Sequence, residues 1–333
     1  MEDLKPYRMM RKPYKSILFI VSKSVSDFRM VLAARWLARW GYHVDVVDTV
    51  PEWLGIHYDT IICCRPNQAL CKMLMDFSKA GRRVIIDMDD DFYAIPKDNP
   101  AYPFIGAGNK GYHEDLKKAI AKVADLVTTT EELGNRYGRH STVINNYYDE
   151  ENSLWNAIGR RHQPSIGWVG TTTHHKDFDL VEPAIKQLLT ERKDLRMVIG
   201  SDITLYNRFA EFPENQKLYY PGLPYQVYPS FYKSCNVMVV PLEDNYFNRA
   251  KSDIKLLETE AAALTWVASP LPMYTEYWPY GLFATTTDEW YNQLVQLLDN
   301  RESQIDIENR IARVGMRRSE VMARKWEDLV NKQ

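Results

Sequence analysis

The sequence predicts an α/β protein made of two doubly wound parallel-sheet domains that face a common cleft. Three observations predict it. Short, nearly continuous apolar runs such as "SILFIVS", "YDTIICC" and "NVMVVPL" suit strands covered on both faces, not strands with one wet face. These runs alternate with stretches of helical spacing, the pattern of repeated strand-helix crossovers. The alternation pauses once, in the polar residues 147–164, and then starts again. A chain of 333 residues holds two domains of ordinary size.

The elements follow in order. "SILFIVS" is a buried strand, and "DFRMVLAARWLARWG" a helix closed by Gly41. "YHVDVVD" and "YDTIICC" are the next strands, "QALCKMLMDFSKAG" a helix and "RRVIID" a fourth strand. "EDLKKAIAKVA" is helical, "DLVTTT" a strand, "EELGNRYG" a short helix and "STVINN" a strand. After the pause come the strand "PSIGWVG", the helix "DLVEPAIKQLLTERKD" and the strand "LRMVIGS". "LYYPGLP" is a weaker strand, "VYPSFYKSC" a short helix and "NVMVVPL" a strand. The series ends with a helix within residues 247–264, the strand "TWVAS", the helix "TDEWYNQLVQLLDN" and a charged helical segment over 301–331. The divisions are an arm over 1–15, a first domain over 16–150, a linker over 151–164, a second domain over 165–315 and a closing helix over 316–333.

Composition narrows the function. The apolar share of 45% excludes a disordered chain, and a net charge of −2 argues against a general nucleic-acid coat. Cys63, Cys64, Cys71 and Cys235 lack zinc-ligand spacing and are too sparse for a disulfide scaffold. Reduced thiols point to a cytoplasmic location. No apolar run reaches the roughly 20 residues of a membrane helix. The start, "MEDLKPYRMMRKPYKS", has no apolar signal-peptide core. This basic arm is either solvated or meets an anionic surface, as a peripheral membrane or DNA contact.

The stretch "FNRAKSDIKLLETEAAALTWVAS" carries the most chemistry. At 100° per residue, Lys255 lies about 40° from Lys251 and Glu258 about 20° the other way, while Ile254, Leu257, Ala261 and Leu264 form an apolar stripe. Ser252 is placed to cap the helix start, where amides, dipole and Lys251 favour an anion. Glu258 sits about 9 Å further along, roughly the reach from a diphosphate to a ribose. Ordinary helical ion pairs among these residues satisfy the same spacing.

"FN-x-x-KS-x-IK-x-LE" resembles the nucleotide-binding segment of GT-B glycosyltransferases of the large group-1 (family four) class. "VADLVTTTEEL…VINN", "IGWVGTTTHHKDFDLVEPAIKQLL", "CNVMVVPLEDN" and "RKWEDLVN" resemble other segments of that family in the same order, across most of 16–331. The resemblance implies two Rossmann-like domains, the second for a nucleotide sugar and the first for an acceptor. It also implies a UDP- or GDP-sugar donor, retention of anomeric configuration and no obligatory metal. Glu258 matches the second glutamate of the family's E-x-x-x-x-x-x-x-E motif, which binds ribose. The first, a donor-sugar ligand, falls at Ala250, with Glu243, Asp244, Asn245 and Asn248 nearby. Gly170 would admit donor phosphates, with Thr171, Thr172 and Thr173 beside it. Lys176 and Lys251 match phosphate-binding lysines, and Ser201 lies where the nucleobase would approach.

"VIIDMDDDFYAIP" places Asp87, Asp89, Asp90 and Asp91 at a strand end, where such sheets carry ligands. One reading is a D-x-D metal site of the GT-A kind, which leaves the second strand-helix series unexplained. The other puts Asp89, Asp90 and Asp91 across the cleft as catalytic carboxylates that orient or deprotonate an acceptor hydroxyl. A solvated acidic loop fits as well. His174 and His175 are adjacent and lack a matching cluster for a metal. Ser22, Lys23, Ser24 and Ser26 follow the first strand, and Arg65, after the third, is placed to meet an anion or form an ion pair. The expectation is a glycosyltransferase that moves a sugar to a glycan, lipid-linked or nucleic-acid acceptor. An epimerase or hydrolase of the same frame, a phage-type DNA-base glycosyltransferase and a non-catalytic nucleotide-sugar binder remain alternatives.

Overall fold

The computed structural model describes residues 15–21, 27–50, 54–156, 163–277, 281–299 and 312–332. The basic arm, Ser22, Lys23, Ser24, Ser26, part of the linker and the predicted helical residues 301–311 lie outside them.

The first sheet holds β1 (Ser16–Ile20), β2 (His43–Val47), β3 (Thr60–Cys64), β4 (Arg83–Met88), β5 (Asp125–Thr128) and β6 (Thr142–Val143). Their order is β2-β1-β3-β4-β5-β6, every pairing parallel. Around it lie α1 (Leu32–Arg39), α2 (Gln68–Lys79), α3 (Tyr102–Ile105), α4 (Lys110–Lys122) and α5 (Glu131–Arg136). Side chains fix the helix starts. Asn67, Asn109 and Thr130 accept from the amides of Leu70, Tyr112 and Leu133. Gly41 ends the first helix at φ 97°, a left-handed turn that glycine adopts without strain.

The second sheet holds β7 (Ser165–Val169), β8 (Arg196–Gly200), β9 (Lys217–Tyr220), β10 (Val237–Val240), β11 (Thr265–Ala268) and β12 (Leu282–Phe283). Its order, β12-β11-β10-β7-β8-β9, is also wholly parallel. The helices are α6 (His175–Asp179), α7 (Glu182–Glu191), α8 (Ile203–Asn207), α9 (Ile254–Ala261), α10 (Pro272–Thr275) and α11 (Thr287–Asp299). The last, α12 (Ser319–Asn331), lies against α1. Its Met322, Trp326, Leu329 and Val330 join the first domain's core with Ile17, Phe19 and Leu37.

Chain order reverses between β1 and β3 in one sheet and between β7 and β10 in the other. Crevices open outside the carboxyl ends of strands at such points. The loops leaving β4, β7 and β10 carry the residues singled out in the sequence, and they converge between the domains.

One contact departs from a simple cleft. Phe247 and Ala250, from the loop after β10, are 7% and 1% exposed and belong to the first domain's core, with Phe92, Leu133 and Tyr137. The Thr130 hydroxyl donates to the Ala250 carbonyl at 3.1 Å. Arg136 lies over the Tyr246 ring at 3.7 Å and donates to that residue's carbonyl. The Asn146 amide donates to the Ser252 hydroxyl at 2.7 Å. Residues 246–252 are therefore a tongue of the second domain seated in the first.

Candidate active site

Two adjoining cavities occupy the interdomain cleft. The larger, about 570 Å³, has Asp98 and Asn99 of the first domain on one side. The loops 172–177 and 243–251 form the other. The smaller, about 140 Å³, lies between Arg65, Asp89, Asp90 and Asn146 of the first domain and Ser252, Ile254 and Lys255 at the start of α9. His174 and Lys251 line both.

The smaller cavity sets three cationic side chains, Arg65, Lys251 and Lys255, against the carboxylates of Asp89 and Asp90. Lys251 approaches Asp90 at 3.5 Å and lies over the Phe247 ring, and Lys255 lies over the Trp168 ring at 5.7 Å. Burial and the neighbouring Lys251 charge lower the Lys255 ammonium to about 8, against the opposing pull of Asp177 and Glu258. Asp253, just before α9, turns its carboxylate away from the helix amides. It pairs with Arg317 at 2.7 and 2.8 Å and accepts from the Tyr277 hydroxyl. The amide end of α9 thus meets the cavity without a capping side chain. An anion there would find Lys251, Lys255 and the start of α9, with the Asp89-paired Arg65 guanidinium alongside.

Asp177 organises the loop after β7. It is buried, accepts from His174 Nδ1 at 2.8 Å, from the Asn248 amide at 3.1 Å and from the Glu243 backbone at 2.8 Å. It therefore ties that loop to the one after β10. The Lys255 charge, and then burial, push the His174 imidazole down to about 4, outweighing Asp177. His175 pairs separately with Asp202 at 2.7 Å. Among the described residues no group of three or more His, Cys, Asp and Glu is arranged to hold a metal ion.

The predicted residues divide. Lys176, Asn248 and Lys251 line the larger cavity; Asp89, Asp90, Lys251 and Ser252 line the smaller. Gly170, Thr171, Ser201, Glu258 and Asp91 line neither. Each has a physical reason. A Cβ on Gly170 would stand 2.6 Å from the Trp168 ring, so packing demands glycine there. Thr171 and Thr173 bond each other through their hydroxyls. Ser201 adopts φ 72° to give its amide to Tyr220 of the edge strand. Ser252 caps nothing, because its hydroxyl is taken by Asn146.

Glu258 is 7% exposed and accepts from both Tyr228 and Tyr232 hydroxyls at 3.0 Å. Burial raises its carboxyl to about 7, with the two hydrogen bonds and Lys255 opposing. In this arrangement one Glu258 carboxylate oxygen is engaged by two tyrosine hydroxyls. Of the acidic cluster, Asp87 is fully buried and bidentate with Arg29. Asp89 is bidentate with Arg65; burial pushes its carboxyl up, but the guanidinium outweighs that and holds it below the ordinary value. Asp91 accepts from the Tyr93 and Ala94 amides and from Arg136. Asp90, the least buried of the four, faces the cleft beside Lys251. Lys176 reaches across the cleft to Asp98. The sequence marks Lys255 only through its helical spacing from Lys251 and marks His174 only as a metal-ligand candidate; nothing in the pattern points to Asp177 or Asn146.

No protein-family model matches the chain, and no curated protein matches it. Solved structures do. A sucrose-phosphate synthase from Thermosynechococcus elongatus superposes with a TM-score of 0.66 at 10% identity, over 95% of this chain and 98% of that one. A protein from Listeria monocytogenes assigned as a UDP-N-acetylglucosamine 2-epimerase gives 0.61 at 8% identity, over 95% and 96%. The catalytic domain of starch synthase IV from Arabidopsis thaliana, bound to ADP and acarbose, gives 0.57 at 10% identity, over 95% and 98%. The chain has the two-domain GT-B fold that these enzymes share.

Proposed function

We propose that the protein is a glycosyltransferase that takes a sugar from a nucleotide-sugar donor, UDP- or GDP-linked, to an acceptor hydroxyl. The observation that carries this reading is the pair of cavities at the carboxyl ends of β7 and β10, one roomy and one lined by Lys251, Lys255 and Arg65, in a GT-B frame. The donor diphosphate occupies the smaller cavity between Lys251, Lys255, Arg65 and the amide end of α9. The nucleoside and sugar extend into the larger one, near Asn248 and Lys176. In the reaction the bond from the anomeric carbon to the phosphate oxygen breaks, one to the acceptor oxygen forms, and the acceptor hydroxyl's proton passes to the departing diphosphate. The cations stabilise the charge that develops on the leaving diphosphate. Asp90 is the carboxylate placed to orient the acceptor hydroxyl; Asp89 and Asp91 act by holding Arg65 and Arg136.

Retention of configuration, independence from metal, a cytoplasmic location and a division into an acceptor domain and a nucleotide-sugar domain belong to the same proposal. The acceptor is a glycan or lipid-linked sugar; the basic arm is the segment through which a membrane or DNA contact would be made. No described helix is long and apolar enough to cross a membrane. Thermal shift against UDP, GDP, ADP and their sugars, with and without EDTA, tests the donor site, since a ligand bound only to the folded form raises Tm. Stabilisation by one nucleotide series that persists in EDTA is expected; none at all would overturn the reading. The second reading, an epimerase, is favoured by the Listeria structure. Turnover of a donor sugar with no acceptor present would select it.

A further inference from the structure

We propose that His174 accepts a hydrogen bond from a hydroxyl of the donor sugar, next to the diphosphate, and so selects the sugar that is transferred. The proposal rests on the donor-site reading above. It starts from the ring's two nitrogens. Nδ1 faces the Asp177 carboxylate at 2.8 Å, so the hydrogen sits on that nitrogen. Nε2, on the other side of the ring, has no hydrogen-bond partner among the described residues.

The ring's charge state follows from its surroundings. Lys255 and Lys251 face it from the start of α9 and the residue run before it, and Asp177 from its own loop. The lysine charges and burial keep the imidazole neutral near pH 7 despite Asp177. A neutral ring with its hydrogen on Nδ1 presents a lone pair at Nε2. That lone pair repels a phosphate oxygen, which has no hydrogen to offer at this pH, and welcomes an O–H or N–H donor. A neutral His174 is thus matched to a sugar hydroxyl rather than to a phosphate oxygen.

Position fits the same partner. The His174 side chain is 18% exposed and borders both cavities, at the seam where a diphosphate in the smaller would meet a sugar in the larger. Asp177 is itself fixed by Asn248 and the Glu243 amide, so the ring is held in one orientation. Ala250, on the opposing loop, offers no polar group and is buried in the first domain. The acceptor for a sugar hydroxyl comes instead from the loop after β7.

The test compares His174→Leu and His174→Gln with wild type by calorimetry. The probes are UDP, GDP and ADP, their glucose, mannose and N-acetylglucosamine derivatives, and the singly deoxygenated sugars of whichever derivative binds. His174→Leu is expected to weaken the nucleotide sugar about tenfold and leave the bare diphosphate within about twofold. His174→Gln, which keeps an acceptor, recovers part of the loss. One deoxy donor binds wild type about tenfold more weakly and is indifferent to His174→Leu. Equal weakening of diphosphate and nucleotide sugar, or no change in either, overturns the assignment. Melting curves for both variants show whether the fold persists; if His174→Leu unfolds, the comparison of His174→Gln with wild type across the deoxy donors decides. Failure of wild type to bind any nucleotide overturns the donor site itself, and the His174 assignment with it.

Discussion

Glu258 shows how a residue's surroundings can change the role its spacing suggests. Its position on α9 was legible, one helix face shared with Lys251 and Lys255. Its two tyrosine partners were not, because Tyr228 and Tyr232 lie on a 3-10 segment 26 to 30 residues away. The consequence is measurable. The folded carboxyl stands at about 7, above the ordinary 4.5. Protonation therefore favours the folded state, a contribution present below the unfolded value and lost as pH rises through about 7. Glu258→Gln keeps an acceptor for both hydroxyls and carries no charge. Its stability relative to wild type should grow between about pH 5 and pH 8, by the equivalent of about 3 kcal/mol. A difference that does not vary with pH, in urea titrations at several pH values, would show that burial does not govern this group. The acidic cluster follows the same logic. Four aspartates in one short run were visible; that arginines at 29, 65 and 136 engage three of them was not, since those partners lie about 24 to 58 residues off.

At the scale of elements, strands were the most legible. A run such as "TIICC" is buried at every position, which leaves few conformations other than a central strand. β12 was missed because two residues, Leu282 and Phe283, carry no period to detect. α3 is a four-residue turn with none of its residues buried, and it left no signal. The loop after β10 is the more instructive case. The sequence placed it beside a ligand; the structure seats its Phe247 and Ala250 in the opposite domain. Ala250 stands where the resemblance predicts a sugar-binding glutamate, and a glutamate there would be thrust into that apolar contact unpaired. Phe247→Ala should remove roughly 3 kcal/mol of stability, read as a lower urea midpoint. A change within about 0.5 kcal/mol would mean that the contact is loose in solution.

Among the described residues the two halves are clasped at several places besides the Lys176–Asp98 pair. The tongue over 246–252 enters the first domain, α12 lies on α1, and Arg317 joins Asp253 to the Asn146 carbonyl. The fold class could be inferred from alternation alone; this clasping could not, because each contact joins residues separated by more than 60 positions. Shared core residues predict joint melting. Calorimetry should give one cooperative transition, with calorimetric and van't Hoff enthalpies in agreement, whereas two resolved transitions would show that the halves unfold independently. Such coupling also bears on how the cleft moves. Opening the cleft widely would expose Phe247 and Ala250, so the expected motions are small sliding ones that leave the tongue in place.

The seated tongue also limits how this architecture can be recombined. Phe92, Leu133 and Tyr137 on one side were shaped around Phe247 and Ala250 on the other. A hybrid that grafts a foreign C-terminal half onto this N-terminal half inherits a socket without its plug. Interchangeable parts would therefore have to be cut with residues 246–252 travelling alongside the half that receives them, not the half that encodes them.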